Sequence, residues 1–199
     1  MLIFARHGET VYNKEHRFQG RSDSPLTEHG IKQAVAVGAE LKKYNPSFFY
    51  ISPLPRVFST YTHMQSNNTP YQIVSDLAET CYGEWEEKRK DEIAELPAWI
   101  IRQKDRFNFV HPGEWHGIPG ESYKQLYERL IPFFNKLHNL DERACCVILG
   151  HIGVMIAAKK FYEGHTDTDA SKTMISNSTI FKVEKIDGNM QLTQKEVIW

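Results

Sequence analysis

Short apolar runs alternate along the chain with longer stretches in which apolar residues recur at helical spacing. Three of the runs, Leu2 to Ala5, Phe48 to Ser52 and Ala144 to Leu149, have the length and hydrophobicity of buried strands. Strands that alternate with helices indicate an α/β fold. We therefore predict a three-layer sandwich, with a mostly parallel central sheet and helices on both faces.

Capping and turn residues delimit the predicted helices. Thr27 is a candidate N-cap for a helix that Asn45-Pro46 ends. A second helix begins near Arg56 and fades at Asn67-Asn68. The remaining predicted elements are a strand from Tyr71 to Val74, a helix around Asp91 to Gln103 that Pro97 interrupts or starts, a helix from Ser122 to Leu140 that Pro132 can kink, an apolar helix that reaches about Phe161, and strands from Thr179 to Lys185 and from Gln191 to Ile198.

The last two strands predict a mixed sheet. Asp187-Gly188-Asn189 between them is a hairpin-type turn, and strands joined in this way are antiparallel. The sequence therefore predicts a mostly parallel sheet with one antiparallel hairpin.

The stretch from Glu79 to Glu121 differs from the rest of the chain in its aromatic residues, prolines and many charges. We interpret residues 1–199 as one domain with a lid or specificity insertion at about 84–121. Two interpretations of the aromatic residues from Trp85 to Trp115 stay open. They form a lid over the non-phosphate part of a substrate, or they form a satellite core or a dimer surface.

Bulk composition excludes several classes of function. The formal net charge is −1, which gives no support to a nucleic-acid partner. No apolar run reaches membrane-spanning length, so no membrane partner is expected. Cys81, Cys145 and Cys146 fit no metal spacing and no disulfide framework, which predicts a reducing, cytoplasmic location. A homodimer stays possible.

Two of the predicted strands end in a glycine-flanked histidine, and this repeated pattern indicates a site. His7 follows the first strand and His151 follows the strand that ends at Leu149. Ligands of open α/β sheets bind beyond the carboxyl ends of the strands, where parallel neighbours bring such residues together. Arg6 and Arg56, with planar guanidinium groups suited to phosphate oxygens, lie at the same ends.

A phosphate beside an imidazole suggests nucleophilic chemistry at His7. A neutral imidazole attacks phosphorus without a further base when one nitrogen is held as N–H and the other faces the phosphate. The leaving oxygen then needs an acid that later activates water. Glu79 is the candidate, since Glu9 is adjacent to the nucleophile and better placed to shape the loop.

These residues closely resemble the histidine phosphatase superfamily, also called the phosphoglycerate mutase-like family. The matching residues run in the family's order over nearly the whole chain. They are Arg6-His7-Gly8-Glu9-Thr10 with Asn13, the run from Arg17 to Thr27 with Gly30, Ser52-Pro53-Leu54 with Arg56 and Thr60, then Leu77, Glu79, Gly83, Trp85 and Glu86, Gly120-Glu121-Ser122, Gly150-His151, and Asn177-Ser178.

The resemblance implies a phosphoglycerate mutase-like fold and a phosphohistidine at His7, with Glu79 as proton donor and acceptor. It implies a small phosphorylated substrate, no cofactor and no metal. The phosphate would be held by Arg6, His7, Arg56, His151 and Asn13, with Gln19, Gly20 and the backbone N–H of Ile152 as further contacts. For Gln19, Gly20 and Arg17, loop architecture is an equal alternative, while Asn13 could be a turn residue and Glu79 a cap or ion-pair residue.

Two residues depart from the family pattern, which commonly has glycine at both positions. Ile152 follows the second histidine, and its side chain could narrow the pocket. Glu87 lies at the start of the lid.

The run from Gln19 to Thr27 and the run from Tyr82 to Glu86 resemble the phosphatase branch more than the cofactor-dependent mutases. We therefore expect a metal-independent phosphomonoesterase. A phosphoglycerate mutase-type phosphoryl transfer is the alternative, and a catalytically silent module that binds a phosphorylated ligand is a third possibility.

Overall fold

The computed structural model describes residues 1–64, 69–140, 144–186 and 189–197. Eight strands are present in this part of the chain. They are β1 (Leu2–Arg6), β2 (Phe48–Ile51), β3 (Tyr71–Ile73), β4 (Glu114–Trp115), β5 (Ile118–Pro119), β6 (Cys146–Gly150), β7 (Thr179–Ile186) and β8 (Asn189–Val197).

Six of these strands form the central sheet, in the order β3-β2-β6-β1-β7-β8. The first four are parallel to one another, whereas β7 is antiparallel to β1 and to β8. The predicted mixed, mostly parallel sheet is therefore confirmed. The short strands β4 and β5 form a separate antiparallel pair, which the sequence did not predict.

The described residues also form seven α-helices. They are α1 (Val11–Lys14), α2 (Glu28–Lys42), α3 (Pro55–His63), α4 (Pro97–Lys104), α5 (Tyr123–His138), α6 (Ile152–Glu163) and α7 (Asp167–Lys172), with single 3₁₀ turns at Ser75–Leu77, Gly83–Trp85 and Asp91–Ile93. For the helix expected around Asp91 to Gln103, the alternative in which Pro97 starts the helix is confirmed. Because proline favours the first turn of a helix, α4 begins at Pro97, and the chain before it forms the last of these turns.

Side chains of β1 alternate between the two faces of the sheet, and this alternation produces the three layers. Leu2 and Phe4 pack with apolar residues of α5 and α6. Ile3 and Ala5 point to the opposite face and pack with apolar residues of α2 and α3. Each face of the sheet is thus covered by helices, and the α/β three-layer fold is confirmed.

Side chains cap the N-terminal ends of α2 and α5. The Thr27 hydroxyl accepts the backbone N–H of Gly30 at 2.9 Å, so the predicted N-cap of α2 is confirmed. Ser122 caps α5 with a reciprocal bond to Gln125. Helix α5 continues through Pro132 to His138.

Two predicted features fall on residues outside the described part of the chain. They are the fading of the second helix at Asn67-Asn68 and most of the turn at Asp187-Gly188-Asn189. Within the described residues, no helix combines the length and the hydrophobicity needed to cross a bilayer.

Candidate active site

The carboxyl ends of β1 and β6 place His7 beside His151. The two strands are parallel neighbours in a register that pairs Arg6 with Gly150, and the His7 backbone N–H donates to the Gly150 carbonyl at 3.1 Å. The imidazole centroids are 5.2 Å apart. Both rings are buried. The structure therefore brings together the two histidines that the repeated sequence pattern singled out.

The ring of His7 is oriented by its own turn. Nδ1 lies 2.8 Å from the carbonyl oxygen of Gly8, which accepts a hydrogen bond and so fixes the proton on Nδ1. The Gly8 N–H donates to the Thr60 hydroxyl at 3.2 Å, which holds the turn against α3. Burial and then the nearby Arg56 and Arg6 lower the pKa of His7 well below 6.5. Nε2 therefore carries a free lone pair at neutral pH.

His151 lies beside His7, and both of its ring nitrogens form hydrogen bonds. Its Nε2 is 2.7 Å from the Ser52 hydroxyl, and its Nδ1 is 3.3 Å from an Nη of Arg56. Because a guanidinium only donates, Nδ1 accepts in this arrangement and Nε2 carries the proton. Burial and then Arg56 lower the pKa of His151 well below its usual value.

Arg56, at the start of α3, is buried and bonded to the loop that precedes α2. Its guanidinium donates to the carbonyl oxygens of Ser22 and Gly20, each at 2.8 Å, and to Asp23 Oδ1 at 3.0 Å. These bonds fix the guanidinium plane beside His151. The Nε atom is buried and has no protein partner among the described residues.

Arg6, the last residue of β1, also has a buried Nε atom without a protein partner among the described residues. One Nη donates to the carbonyl oxygen of Ile175 at 2.5 Å. Buried donors are almost always paired in folded proteins. Two such donors, on Arg6 and Arg56 beside the paired histidines, fit a site for an anion.

Glu79 reaches the same site from the chain beyond β3. Its side chain is 2% exposed. Oε1 accepts the N–H of Thr80 at 2.8 Å, and Oε2 accepts the N–H of Gly153 at 3.1 Å, in the first turn of α6. A Cβ at position 153 would lie 2.2 Å from Oε1, so the close approach requires glycine. Sequence reasoning did not single out Gly153.

Asn13 belongs to the same network through its oxygen. Oδ1 accepts the Thr10 N–H at 3.2 Å, within the capping box of α1, and also the side-chain amide of Asn177 at 3.1 Å. Asn177 donates in addition to the His7 carbonyl at 3.0 Å. With Oδ1 used twice, the Nδ2 group of Asn13 is the polar atom left for a ligand.

The loop that contains Gln19 and Gly20 is organised by Glu86. The Glu86 carboxylate accepts the backbone N–H groups of Gly20, Arg21, Ser22 and Tyr82 and the Ser22 hydroxyl, at 2.7–3.2 Å. The N–H of Gly20, for which substrate contact and loop architecture were equal alternatives, is thus bonded to Glu86. A Cβ at Gly20 would lie 2.0 Å from the Thr80 carbonyl oxygen, which explains this glycine by loop architecture.

A cavity of about 520 Å³ opens in front of His7. Of the predicted site residues, it is lined by Arg6, His7, Asn13, Arg17, Gln19, Glu79 and Ile152. Gln19 bonds to the hydroxyls of Thr10 and Ser24. Arg56, His151 and Gly20 do not reach the cavity wall; the first two form the layer beneath His7. Ile152 is half-buried in the wall, where a family glycine would leave more space.

The aromatic residues of the insertion form a satellite core that also borders the cavity. Phe18, Tyr82, Trp85 and Ile93 are buried together, with Ala98, Trp99 and Phe109 packed against them. The cavity wall includes Phe18, Tyr82 and Trp99 from this set. The satellite core is therefore observed, and recognition of a substrate by the same residues stays a prediction.

His111, within the insertion, is a buried histidine. Its side chain packs against the aromatic cluster. Its Nδ1 donates to the Glu121 carbonyl at 2.6 Å, and its Nε2 accepts from Arg102 Nε at 3.2 Å. Burial lowers the pKa of His111 to about 3.

Glu87 adopts a backbone conformation that suits glycine. Its φ of 65° lies in the left-handed region, which costs a residue with a side chain roughly 1–2 kcal/mol. Glutamate in place of the glycine common in the family therefore strains the backbone locally at the start of the insertion. The neighbouring Arg17 donates to the Glu87 carbonyl at 2.9 Å and pairs with Glu15.

Comparison with protein families agrees with the geometry. The model described as "Histidine phosphatase superfamily (branch 1)" matches residues 2–197. A 2,3-bisphosphoglycerate-dependent phosphoglycerate mutase of Methanococcus vannielii is 29% identical over 68% of this chain and 68% of its own length. A metal-independent phosphoserine phosphatase of Arabidopsis thaliana is 29% identical over 78% of this chain and 66% of its own length.

A solved structure supports the fold. The chain is similar to a putative alpha-ribazole-5'-P phosphatase from Escherichia coli, with a TM-score of 0.82 at 19% identity, over 96% of this chain and 93% of the other. At this identity the likeness concerns the fold alone. The relatives therefore divide between phosphatases and mutases around one scaffold.

Proposed function

The chain belongs to the histidine phosphatase superfamily, branch 1, and from this premise we propose that it is a metal-independent phosphomonoesterase. It hydrolyses a small phosphorylated metabolite through a phosphohistidine on His7. The observation that carries the proposal is the orientation of the His7 ring, in which the bond from Nδ1 to the Gly8 carbonyl leaves Nε2 free beside two buried arginines.

In the first step the lone pair of His7 Nε2 forms a bond to phosphorus, and the bond from phosphorus to the ester oxygen breaks. Glu79, in its acid form, gives its proton to the departing oxygen, which leaves as an alcohol. The Glu79 carboxyl group faces the same cavity as His7, which is the placement that this role needs.

In the second step water attacks the phosphorus of the phosphohistidine. The Glu79 carboxylate takes a proton from that water, the P–N bond breaks, and its electron pair returns to Nε2. Orthophosphate leaves and His7 is again neutral. The acid of the first step is thus restored as the base of the second.

Arginine side chains supply the positive charge that the transferring phosphoryl group requires. The unpartnered Nε of Arg6 and the Nδ2 group of Asn13, both from residues that line the cavity, are donors for phosphate oxygens, and the buried guanidinium of Arg56 adds positive charge beneath His7. Fixed guanidinium groups stabilise the developing charge without reorganisation, which is why we propose a mechanism that needs no metal.

Phosphoglycerate mutase-type transfer is the second candidate, because a relative of 29% identity carries that name. The two activities share the first step and differ in whether water or a substrate hydroxyl attacks the phosphohistidine.

A metabolite phosphatase panel tests the proposal, with wild type and His7→Ala in the presence of a chelator. We expect phosphate release by wild type alone, unaffected by the chelator. Equal release by both proteins would overturn it. Loss of activity with chelator would overturn metal independence, and phosphoryl exchange on phosphoglycerate without net release of phosphate would establish the mutase.

A further inference from the structure

One arginine holds the backbone of the segment that carries Glu79. Arg129, on α5, donates to the carbonyl oxygens of Asp76 and Ala78, the latter at 2.6 Å. It also donates to the carbonyl of Glu79 over a longer 3.4 Å. Ala78 and Glu79 are buried, so their carbonyl groups depend on protein donors rather than on bulk water. A single guanidinium therefore holds the chain immediately before the candidate acid and at the acid itself.

Glu121 fixes the plane of that guanidinium. Its Oε1 accepts from Arg129 Nε at 2.7 Å, and its Oε2 accepts from an Nη group at 3.1 Å, which makes the ion pair bidentate. Such pairs fix orientation in addition to the energy they contribute. The Glu121 backbone N–H donates to the carbonyl of Cys81 at 2.8 Å. Arg129 and Glu121 thus hold the chain on both sides of Glu79.

The Glu79 side chain depends on the position of this segment. Its carboxylate accepts the backbone N–H groups of Thr80 and Gly153. Thr80 belongs to the segment itself, whereas Gly153 lies in α6. A shift of the segment would therefore change the distance from the Glu79 carboxylate to Gly153, and with it the distance to a phosphate ester at His7.

Arg129 and Glu121 are not among the residues that line the cavity, whereas Glu79 is. The pair can therefore influence the reacting atoms only through the residues that it holds. We propose that Arg129 and Glu121 are positioning residues for Glu79, which they keep at proton-transfer distance from the departing oxygen. This inference rests on the proposed function, in which Glu79 protonates that oxygen.

Loss of this positioning should affect different esters unequally. Proton transfer matters for an alkyl leaving group and little for p-nitrophenolate, which departs without a proton. We define the selectivity as kcat/KM on p-nitrophenyl phosphate divided by kcat/KM on glycerol 2-phosphate. The ratio kcat/KM is used because it covers the steps up to formation of the phosphohistidine and not its hydrolysis.

Arg129→Lys keeps the positive charge and removes the planar fork. We expect it to raise the selectivity about tenfold, because a small displacement of a catalytic group is costly. Glu121→Gln keeps the shape of the partner but only one of its two acceptor oxygens, and should raise the selectivity about threefold.

Leu137→Ala is the matched control for a loss of stability. Leu137 is a buried core residue about two turns further along α5, so its truncation destabilises the fold without removing a hydrogen bond from the Glu79 segment. It should leave the selectivity within about twofold of wild type. Thermal unfolding is measured for every variant, and rates are taken at a temperature where all are folded.

Combination with Glu79→Gln identifies the route of the effect. Without the acid, Arg129→Lys has no proton donor to misplace and should change the selectivity by less than about twofold. An unchanged selectivity in Arg129→Lys, an equal rise in Leu137→Ala, or the full rise in the Glu79→Gln background would overturn the inference. If Arg129→Lys does not fold, Glu121→Gln decides in the same way, alone and with Glu79→Gln.

Failure of the proposed function has a different signature. Wild type would then release no phosphate from either ester, and the inference would fail with it. Release of phosphate together with an unchanged selectivity in the variants would refute the positioning role alone.

Discussion

The carboxylate of Glu79 is bonded to the backbone N–H of Gly153 at 3.1 Å, at the start of the helix that follows His151. The contact joins the candidate acid to the same helix end that positions the second histidine. A side chain at position 153 would occupy the place of the Glu79 oxygen, because its Cβ would lie 2.2 Å from Oε1. The glycine is therefore a condition for the placement of Glu79.

Gly153→Ala should displace Glu79 and slow the protonation of the leaving group. We expect kcat on alkyl phosphates to fall about a hundredfold, since a shift of about 1 Å in a catalytic group has effects of that order. The fall on p-nitrophenyl phosphate should be smaller, because that leaving group departs without a proton. Steady-state kinetics on both esters measures the difference.

The same substitution also crowds Leu126, whose Cδ2 would lie 2.4 Å from the new Cβ. Thermal unfolding of Gly153→Ala therefore accompanies the kinetics, and rates are compared at a temperature where the variant is folded. An equal loss on both esters would contradict the argument that Gly153 acts through Glu79.

Glu79→Gln should produce the same dependence on the leaving group directly. The amide cannot donate the proton that the departing alkoxide needs, so the rate should depend more steeply on the pKa of the alcohol than in wild type. A series of aryl and alkyl phosphates gives the slopes. Parallel slopes for the two proteins would remove Glu79 from the role of acid.

Glu86→Gln should destabilise the loop that supports Arg56. The carboxylate accepts five hydrogen bonds, and a side-chain amide would point its own N–H groups at donors. We expect a loss of about 3 kcal/mol in the free energy of unfolding, measured with urea. Glu84→Gln, an exposed neighbour, is the control and should change it by less than about 0.5 kcal/mol. Similar values for the two variants would refute the role of Glu86.

Burial of His111 makes stability depend on pH. Its pKa is about 3 in the folded protein, against 6.5 as the ordinary value. Between these values the unfolded chain binds a proton that the folded chain does not, so the free energy of unfolding falls as the pH drops below 6.5. The limiting slope is about 1.4 kcal/mol per pH unit for each such histidine.

His111→Gln should remove the contribution of His111 to the slope of the unfolding free energy against pH. His7 and His151, whose pKa values are also lowered, should still contribute to that slope. Urea unfolding at several pH values from neutral to acidic compares wild type with the variant. A variant as steep as wild type would mean that His111 is protonated in the folded protein.

The central part of the fold was predictable because its signals are local and repeated. Continuous apolar runs marked β1 and β6, and the histidine after each run placed both side chains at one edge of the sheet. Parallel pairing of neighbouring strands then supplied the contact between His7 and His151. The roles assigned to these residues and to Glu79 stay predictions.

Other features of the site and of the insertion depend on contacts between residues that are distant in the chain. Such contacts leave no periodic pattern in the sequence. Glu86 bonds to a loop more than 60 residues earlier in the chain, and nothing in its local sequence distinguishes it from an exposed acid. His111 is buried by aromatic side chains from three separate segments. The sequence left open whether Pro97 interrupts or starts the helix around Asp91 to Gln103, and the structure shows that α4 begins at Pro97.

Phosphorylation of His7 is the most direct test of the account. Wild type is mixed with a ³²P-labelled phosphomonoester, quenched within milliseconds at alkaline pH, digested and analysed by mass spectrometry. We expect label on the peptide that contains His7, stable to alkali and released by acid, and none in His7→Ala. Rapid phosphate release without label on His7, or label on another residue, would contradict the proposed mechanism.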